Sequence, residues 1–279
     1  MELIKLLKDA IEKKLREQQE EGIGFVHPAT LAGGCFLAVA HELLGHPKAA
    51  PEAWRLRAMQ AGTAAHERVA QYFRPFLMAQ EVPFLNEEHR VKGRCDGLLF
   101  IPKALSKEYT GFYVLEIKSL SSTSFLEVKA TGAPKPEHLR QCQIYWWGMS
   151  TCYGLPVRGG IICYENRDTL EYSLFTILEE NAEIGELLER LRAVIELAKE
   201  GKLPEDPEFR LPPDHWAHRY CPYLPLCFYG QEAVKKNKKE ISEGLRAKII
   251  AQSIATKMVK KKEKRKRSLE ELARDFGWE

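Results

Sequence analysis

Hydrophobic residues recur along the chain with two different spacings, and these spacings predict its elements. Apolar side chains at every third or fourth position predict helices, whereas alternating or short continuous apolar runs predict strands. Helical spacing is found over residues 2–20, 31–45, 52–80, 136–153 and 178–200. Strand-like stretches are found over 112–118, 157–164 and 170–177, and over 81–101, where a glycine-containing turn is expected. This order predicts an α/β fold with a central mixed β-sheet flanked by helices.

The helical stretch over residues 52–80 is interrupted by Gly62 and Thr63, so it predicts either one helix or two with a junction at that point. The stretch over 178–200 ends at Gly201, a residue typical of the position just after a helix. Because the first three helical stretches begin at residues 2, 31 and 52, the N-terminal 60 residues are expected to be largely helical and to precede the sheet.

Charge is distributed unevenly along the chain. The formal net charge is +3, yet residues 231–267 alone carry +10 and all the other residues together carry −7. A basic arm of this kind favours contact with a polyanion such as nucleic acid, through phosphates rather than base sequence. The alternative is a solvated, partly helical tail that helps solubility.

The chain shows no apolar run near the ~18 residues that cross a bilayer, and its N-terminal segment lacks the apolar block of a signal peptide. We therefore expect a cytoplasmic protein with no membrane partner. In that compartment the seven cysteines are not expected to form a disulfide framework.

Two carboxylates and a lysine lie at strand positions where burial is costly. Glu116 and Lys118 are two residues apart in a predicted strand and share one of its faces, and Asp96 ends an earlier strand. Buried charges need partners. Either Glu116 and Lys118 form a structural ion pair, or Asp96 and Glu116 hold Mg²⁺ or Mn²⁺ while Lys118 acts on the attacking water. The spacing alone leaves both interpretations open.

Two predicted helices carry further polar candidates. His66 is a single histidine in the stretch over 52–80, and such a residue is more often packed or solvated than metal-bound. Gln141 and Tyr145 are four residues apart and lie on one face of the helix over 136–153. On spacing alone, they are interpreted as a polar pair at the surface or its boundary.

Four short sequence blocks follow one another in a fixed order. They are GTAAHE at 62–67, GRCDG at 93–97, LEIKS at 115–119 and QCQIY at 141–145. This series resembles the RecB-like branch of the PD-(D/E)XK nucleases, which includes the CRISPR-associated Cas-four exonucleases and the nuclease domains of bacterial recombination machines and phage exonucleases. The pattern of that family is a helical G-x-x-x-H, a strand G-x-x-D, a strand E-x-K and a helical Q-x-x-x-Y.

The resemblance implies a restriction-endonuclease-like core and a role for each block. The implied ligands of Mg²⁺ or Mn²⁺ are His66, Asp96, Glu116 and the main-chain carbonyl of Ile117. Lys118 is implied to position the nucleophilic water, and Gln141 and Tyr145 to brace the site or contact DNA.

A second candidate metal site has the spacing H-x2-C-x5-C. It consists of His218, Cys221 and Cys227, and it lacks a fourth ligand. The alternative is a proline-rich cap with two buried thiols. Many RecB-like nucleases carry one cysteine before the nuclease blocks and C-x2-C-x5-C after them, and these cysteines bind a [4Fe–4S] cluster. By this resemblance Cys35 is the first ligand, and His218 stands where the second cysteine is found, with His215 as a neighbouring candidate.

The resemblance therefore favours a [4Fe–4S] cluster in a metal-bound C-terminal cap. Because His218 replaces a cysteine, a zinc site with three cysteines and one histidine, or a site without metal, stays open.

These features predict a metal-dependent DNA nuclease, in the first place an exonuclease on single-stranded DNA or DNA ends. Recombination, repair, phage replication and CRISPR adaptation are the expected settings, with a helicase or recombination protein as a partner chain. The alternatives are a non-catalytic DNA-binding or scaffold subunit of a nuclease complex, and a structure-specific endonuclease.

The expected organisation has four segments. They are a helical part over 1–60 with the first cluster cysteine, a nuclease core over 61–203, a Cys/His cap over 204–230 and a basic helical tail over 231–279. The tail residues expected to contact DNA are Lys260, Lys261, Lys262, Lys264, Arg265, Lys266 and Arg267.

Overall fold

The computed structural model describes residues 4–6, 23–179 and 183–236. The chain divides into two compact units, one formed by residues 1–211 with 221–223 and the other by 212–220 with 224–279. Most of the helix expected over 2–20, and the basic tail beyond residue 236, lie outside the described residues. The expected division into four segments stays a prediction.

The first unit is built on one five-stranded sheet. Its strands are β1 (Leu77–Asn86), β2 (Val91–Ile101), β3 (Gly111–Leu120), β4 (Val157–Asn166) and β5 (Tyr172–Ile177). Their order in the sheet is the order in the chain. All neighbouring pairs are antiparallel except β3 and β4, which are parallel. The sheet is therefore mixed, and the prediction of an α/β fold with a mixed sheet flanked by helices is confirmed.

The helices of the first unit surround this sheet. They are α1 (Pro28–Ala32), α2 (Phe36–Leu43), α3 (Ala53–Tyr72), α4 (Ser122–Thr131), α5 (Pro136–Tyr153) and α6 (Glu183–Lys199), with a 3-10 turn at Pro207–Phe209. The second unit contains the 3-10 helices Trp216–Tyr220 and Leu224–Leu226, and residues 228–236 are helical.

Several boundaries differ from the sequence prediction for local reasons. The single helix expected over 31–45 is two short helices, because the chain turns at Gly33 and Gly34, and Gly34 has a φ of 75°. The helix expected over 52–80 is one helix that passes through Gly62 without a junction and stops at Tyr72, since Leu77 already begins β1. The turn between β1 and β2 contains no glycine.

The sheet packs helices on both faces. On one face, Val69 and Ala70 of α3 contact Leu115 and Ile117 of β3. On the other, the side chains of α5, α6 and the N-terminal helices form the larger core with Val114 of β3. Because strand side chains alternate, Glu116 and Lys118 share the face of Val114 and point toward α5.

Membrane-spanning segments are not found among the helices of the described residues, since none is both long enough and apolar enough to cross a bilayer.

Candidate active site

The site forms where β2 and β3 separate. The pairing of these strands ends at Gly97 and Leu115. Beyond that pair, the side chain of Asp96 instead of a main-chain group hydrogen-bonds to β3. Asp96 Oδ2 accepts the N–H of Ile117 at 2.7 Å. The N–H and C=O of a strand residue face the same neighbouring strand, so the carbonyl of Ile117 also faces this gap. The gap therefore brings together a carboxylate and a main-chain oxygen, two of the oxygen ligands that the resemblance implies.

Glu116 is fully buried beside the gap. Its side chain is 0% exposed, and neither carboxylate oxygen accepts a hydrogen bond of regular geometry. The ammonium of Lys118 lies against Oε1 as an ion pair. Burial raises the pKa of Glu116 to about 7, against the opposing charge of Lys118. Lys118 offsets the charge at Oε1, but Oε2 is buried without a partner, which is costly unless a further cation compensates it.

Lys118 is the partner of this carboxylate and is 21% exposed. Burial lowers the pKa of Lys118, but the charges of Glu116 and Asp96 outweigh that effect and the net shift is upward. The ion pair of Glu116 and Lys118, one of the two interpretations of the spacing, is thus present. It lies close to Asp96, the carboxylate that the other interpretation assigns to a metal ion. The two interpretations of the sequence therefore describe one cluster.

His66 reaches the site from α3. Its Nδ1 lies 3.5 Å from Asp96 Oδ1, so Asp96 uses one oxygen toward the main chain and the other toward the histidine. Burial lowers the pKa of His66, yet the hydrogen bond and charge of Asp96 prevail and the net shift is upward. The histidine is therefore neither packed in the core nor simply solvated.

Sequence reasoning missed Glu81, which comes from β1. One ligand atom each from Glu81, His66 and Asp96 lie within 4.8 Å of one another. Glu81 Oε2 also lies 2.6 Å from Arg94 Nε in an ion pair. The strand register is the same on both sides of these residues, with Gln80 opposite Gly97 and Val82 opposite Cys95, so Glu81 is opposite Asp96. The local sequence does not indicate this strand pairing.

Gln141 and Tyr145 form a pair on α5, but they are not at the surface. Gln141 Nε2 donates to the Tyr145 hydroxyl at 2.9 Å, and the two residues are 8% and 5% exposed. Burial raises the pKa of Tyr145, and the charge of Glu116 adds to the shift. The surface interpretation is wrong because the helix face that carries both residues packs onto the sheet beside Glu116.

The glycines of two sequence blocks have different surroundings. A Cβ on Gly93 would lie 2.8 Å from a ring carbon of Phe84 and would also meet Pro28, so the first glycine of GRCDG allows close packing. A Cβ on Gly62 would meet nothing within 4 Å, so packing does not explain the first glycine of GTAAHE.

The residues of the predicted cluster have the following local contacts. Cys35 is the residue before α2. His218 is 6% exposed, and its Nε2 lies 2.8 Å from the carbonyl oxygen of Pro212, so Nε2 carries a proton and Nδ1 is the ring nitrogen suited to a metal. Cys227 Sγ accepts the N–H of Gly230 at 3.2 Å. The iron–sulfur assignment of Cys35, His218, Cys221 and Cys227 stays a prediction.

The predicted DNA-contacting residues from Lys260 to Arg267 lie outside the described residues, so their role also stays a prediction.

The main site suits a hard divalent cation. Carboxylate oxygens and a main-chain carbonyl are typical ligands of Mg²⁺ and Mn²⁺, and imidazole extends the set toward Mn²⁺. The buried Oε2 of Glu116 is the observation in favour of such an ion, because it has no partner, whereas Oε1 is paired with Lys118. The chemistry of His66, Asp96, Glu116 and the Ile117 carbonyl fits the metal that the sequence predicts. The side chains whose ligand atoms lie within 4.8 Å of one another are His66, Glu81 and Asp96, and Glu116 is outside that group.

Comparisons with known proteins give matches among solved structures alone. No protein-family model matches the chain, and no curated protein matches it. Among solved structures, SSO0001 is similar at 21% identity over 80% of this chain and 96% of its own, with a TM-score of 0.47. The alkaline exonuclease LHK-Exo from Laribacter hongkongensis is similar at 18% identity over 64% of this chain and 90% of its own, with a TM-score of 0.47. Its complex with dAMP gives 19% identity with the same coverage and TM-score.

These values are low. Because every identity is below 25% and every TM-score is below 0.5, the function proposed below rests on the geometry of the site.

Proposed function

We propose that this chain is a Mg²⁺- or Mn²⁺-dependent deoxyribonuclease that hydrolyses phosphodiester bonds. The single observation that carries the proposal is the convergence of Asp96, Glu116, Lys118 and His66 at the gap between β2 and β3. These side chains come from two strands and one helix, and they bring two carboxylates and a histidine together with a lysine. The resemblance of the four sequence blocks to RecB-like nucleases supports the same activity.

The residues divide the chemistry among them. Asp96 is held by the Ile117 amide, so its remaining oxygen is oriented without further reorganisation. Asp96, Glu116 and His66 would hold the ion together with the Ile117 carbonyl. When bound, the ion would supply a Lewis acid for the phosphate oxygens and lower the pKa of a bound water.

Lys118 supplies the positive charge of the site. It lies against Glu116 and is partly exposed, so it can contact both the buried carboxylate and a group that enters from solvent. An ammonium at this position would orient the nucleophilic water and stabilise the charge that develops on the phosphate in the transition state. The bonded pair of Gln141 and Tyr145 supports this side of the site from α5.

The finer features of the proposal come from the family resemblance. They are exonuclease action on single-stranded DNA or DNA ends, a helicase or recombination partner, phosphate contacts from the basic tail, and a [4Fe–4S] cluster at Cys35, His218, Cys221 and Cys227. A basic tail would add affinity without sequence selectivity and would make binding strongly salt-dependent.

The activity is tested with end-labelled single- and double-stranded DNA in the presence of Mn²⁺ or Mg²⁺. We expect Lys118→Ala and Glu116→Gln each to lower the cleavage rate at least about 100-fold, because each removes a group that stabilises the transition state or holds the ion. The matched control is Lys129→Ala, which removes an exposed lysine that pairs with Glu171.

Unchanged cleavage in both site variants, measured on protein with a wild-type circular dichroism spectrum, would refute the proposal. Wild-type protein that binds DNA but cuts it with neither metal would favour the non-catalytic binding subunit. Circular DNA cut as fast as linear DNA would favour an endonuclease.

A further inference from the structure

Glu81 has a backbone that strand residues seldom adopt. Its φ is 53°, within the left-handed region, although it lies inside β1. Non-glycine residues keep such a conformation only where their surroundings impose it. The pairing of β1 with β2 keeps the same register on both sides of Glu81, so Glu81 is opposite Asp96 and its side chain extends beside that residue.

That direction leads to the metal site. A ligand atom of Glu81 lies within 4.8 Å of those of His66 and Asp96. Two carboxylates this close repel each other unless a cation compensates their charge. Arg94 compensates Glu81 in part, through an ion pair to Oε2, but its side chain is 67% exposed and the pair is open to solvent.

Glu116 gives an independent indication that this place binds a cation. It is fully buried, and its Oε2 has no partner, whereas Oε1 is paired with Lys118. It also interacts electrostatically with Asp96 and His66, two residues of the group that contains Glu81. The group of His66, Glu81 and Asp96 therefore lies beside a buried carboxylate, and the carboxylate of Glu81 approaches it from the β1 side.

We propose that Glu81 is a ligand of the divalent ion, so that four side chains, from His66, Glu81, Asp96 and Glu116, bind it. Oε1 is the oxygen assigned to the ion, since Oε2 is engaged by Arg94. Arg94 is then a positioning residue that holds the Glu81 carboxylate at the site. This inference rests on the metal site of the proposed function and adds a ligand that neither the sequence spacing nor the family resemblance indicates.

The test measures Mn²⁺ binding by the full-length chain, using the electron paramagnetic resonance signal of free Mn²⁺. We expect Glu81→Gln to raise the Kd for Mn²⁺ at least about tenfold, since a carboxylate is replaced by a weaker neutral ligand. Glu81→Asp, which keeps the charge on a shorter side chain, should fall between the wild type and Glu81→Gln.

The matched control is Glu67→Gln. Glu67 is adjacent to His66 and exposed, so this variant removes the same charge from the neighbourhood of the site without removing a proposed ligand. Its Kd for Mn²⁺ should stay within about twofold of the wild-type value, because an exposed charge is screened by solvent.

The outcomes separate the inference from the proposed function. A Glu81→Gln protein that binds Mn²⁺ within twofold of the wild type, or a Glu67→Gln protein weakened as much as Glu81→Gln, overturns the inference, even if the wild type cleaves DNA. A wild type whose Mn²⁺ binding depends on Glu81 but which cleaves no DNA supports the inference and overturns the proposed function. A wild type that binds no Mn²⁺ overturns both.

Discussion

The surroundings of several single residues in this chain shift their pKa values well away from the ordinary ones. His138, in the first turn of α5, is the clearest example outside the candidate site. Its Nδ1 lies 3.0 Å from the Tyr164 hydroxyl, which also accepts the N–H of Lys135 at 3.0 Å. Burial lowers the pKa of His138 to about 3, and the charges of Lys118 and Lys135 contribute. The histidine is therefore neutral in the folded protein.

This shift predicts a pH dependence of stability. Between pH 6.5 and 3 the unfolded chain binds a proton at His138 that the folded chain does not bind. The free energy of unfolding is therefore highest above pH 6.5, as far as His138 determines it, and decreases as the pH falls toward 3. We expect the urea midpoint to fall between pH 7 and pH 5, and to fall less in His138→Gln. Measurements above pH 5 exclude the titration of Glu42. Burial raises the pKa of this residue, but hydrogen bonds from His27 and Lys48 lower it to about 2. Equal falls in both proteins would contradict the prediction.

Residues also differ in how far their roles can be predicted from the sequence. Asp96, Glu116 and Lys118 lie on predicted strands, so their spacing already placed two of them on one face, and the resemblance added His66. Glu81 could not be predicted, because its position opposite Asp96 depends on the register of β1 against β2. A local pattern contains no information about that pairing.

Among the elements, α3 packs against the sheet mainly through the end that follows His66. Its first half is largely exposed, with Leu56 and Met59 47% and 63% exposed, whereas Val69 and Ala70 near its end are buried. Arg68 adds a charged contact to this end. Its Nε donates to Glu165 Oε1 at 3.1 Å, and a second guanidinium nitrogen donates to the other oxygen of Glu165. Since His66 is on the same helix, this ion pair fixes the position of the histidine relative to the sheet.

Removing the arginine tests this attachment. Glu165 is 0% exposed, so Arg68→Met leaves a buried carboxylate without its bidentate partner. We expect the free energy of unfolding to fall by about 1–3 kcal/mol, toward the lower end because Arg68 itself is 41% exposed. Affinity for Mn²⁺ should fall as well, since the end of α3 that carries His66 is less constrained. Urea denaturation and Mn²⁺ titration measure the two effects.

A double-mutant cycle provides the control. Adding Glu165→Gln to Arg68→Met removes the uncompensated charge and should recover part of the stability. Lys129→Met, which breaks the exposed pair with Glu171, should change stability by less than about 0.5 kcal/mol. A loss from Arg68→Met no larger than this control would show that the ion pair does not hold the helix.

Other elements show where sequence prediction succeeds. The helix over 136–153 has the predicted bounds, and β3 extends the strand expected over 112–118 by one residue N-terminally and two C-terminally. Strong periodicity with proline at the start and glycine after the end marks α5, and a continuous apolar run marks β3. Helix α4 was not predicted, although Ser121 caps it by accepting the N–H of Ser124. Its apolar positions are too few to give a periodic signal.

At the scale of the whole molecule, the sequence predicts a second metal centre, the iron–sulfur cluster at Cys35, His218, Cys221 and Cys227. We expect anaerobically purified protein to contain iron and acid-labile sulfide in about equal amounts, with a broad absorption near 400 nm, as thiolate-bound clusters require. Cys221→Ser and Cys227→Ser should each abolish the iron, whereas Cys152→Ser should not, because Cys152 is a half-buried cysteine outside the predicted ligand set. Zinc without sulfide would identify the alternative, a site with three cysteines and one histidine.

The strands lie in the sheet in the order in which they leave the ribosome. Each strand pairs with the one made before it, so β1, β2 and β3 can associate as soon as they are synthesised. The parallel β4 can pair only after residues 121–156 have been made, and until then the edge of β3 presents unpaired backbone N–H and C=O groups. An unpaired edge of this kind is a template for association with other chains. The interval between the synthesis of β3 and β4 is therefore a stage at which the nascent chain is exposed to aggregation.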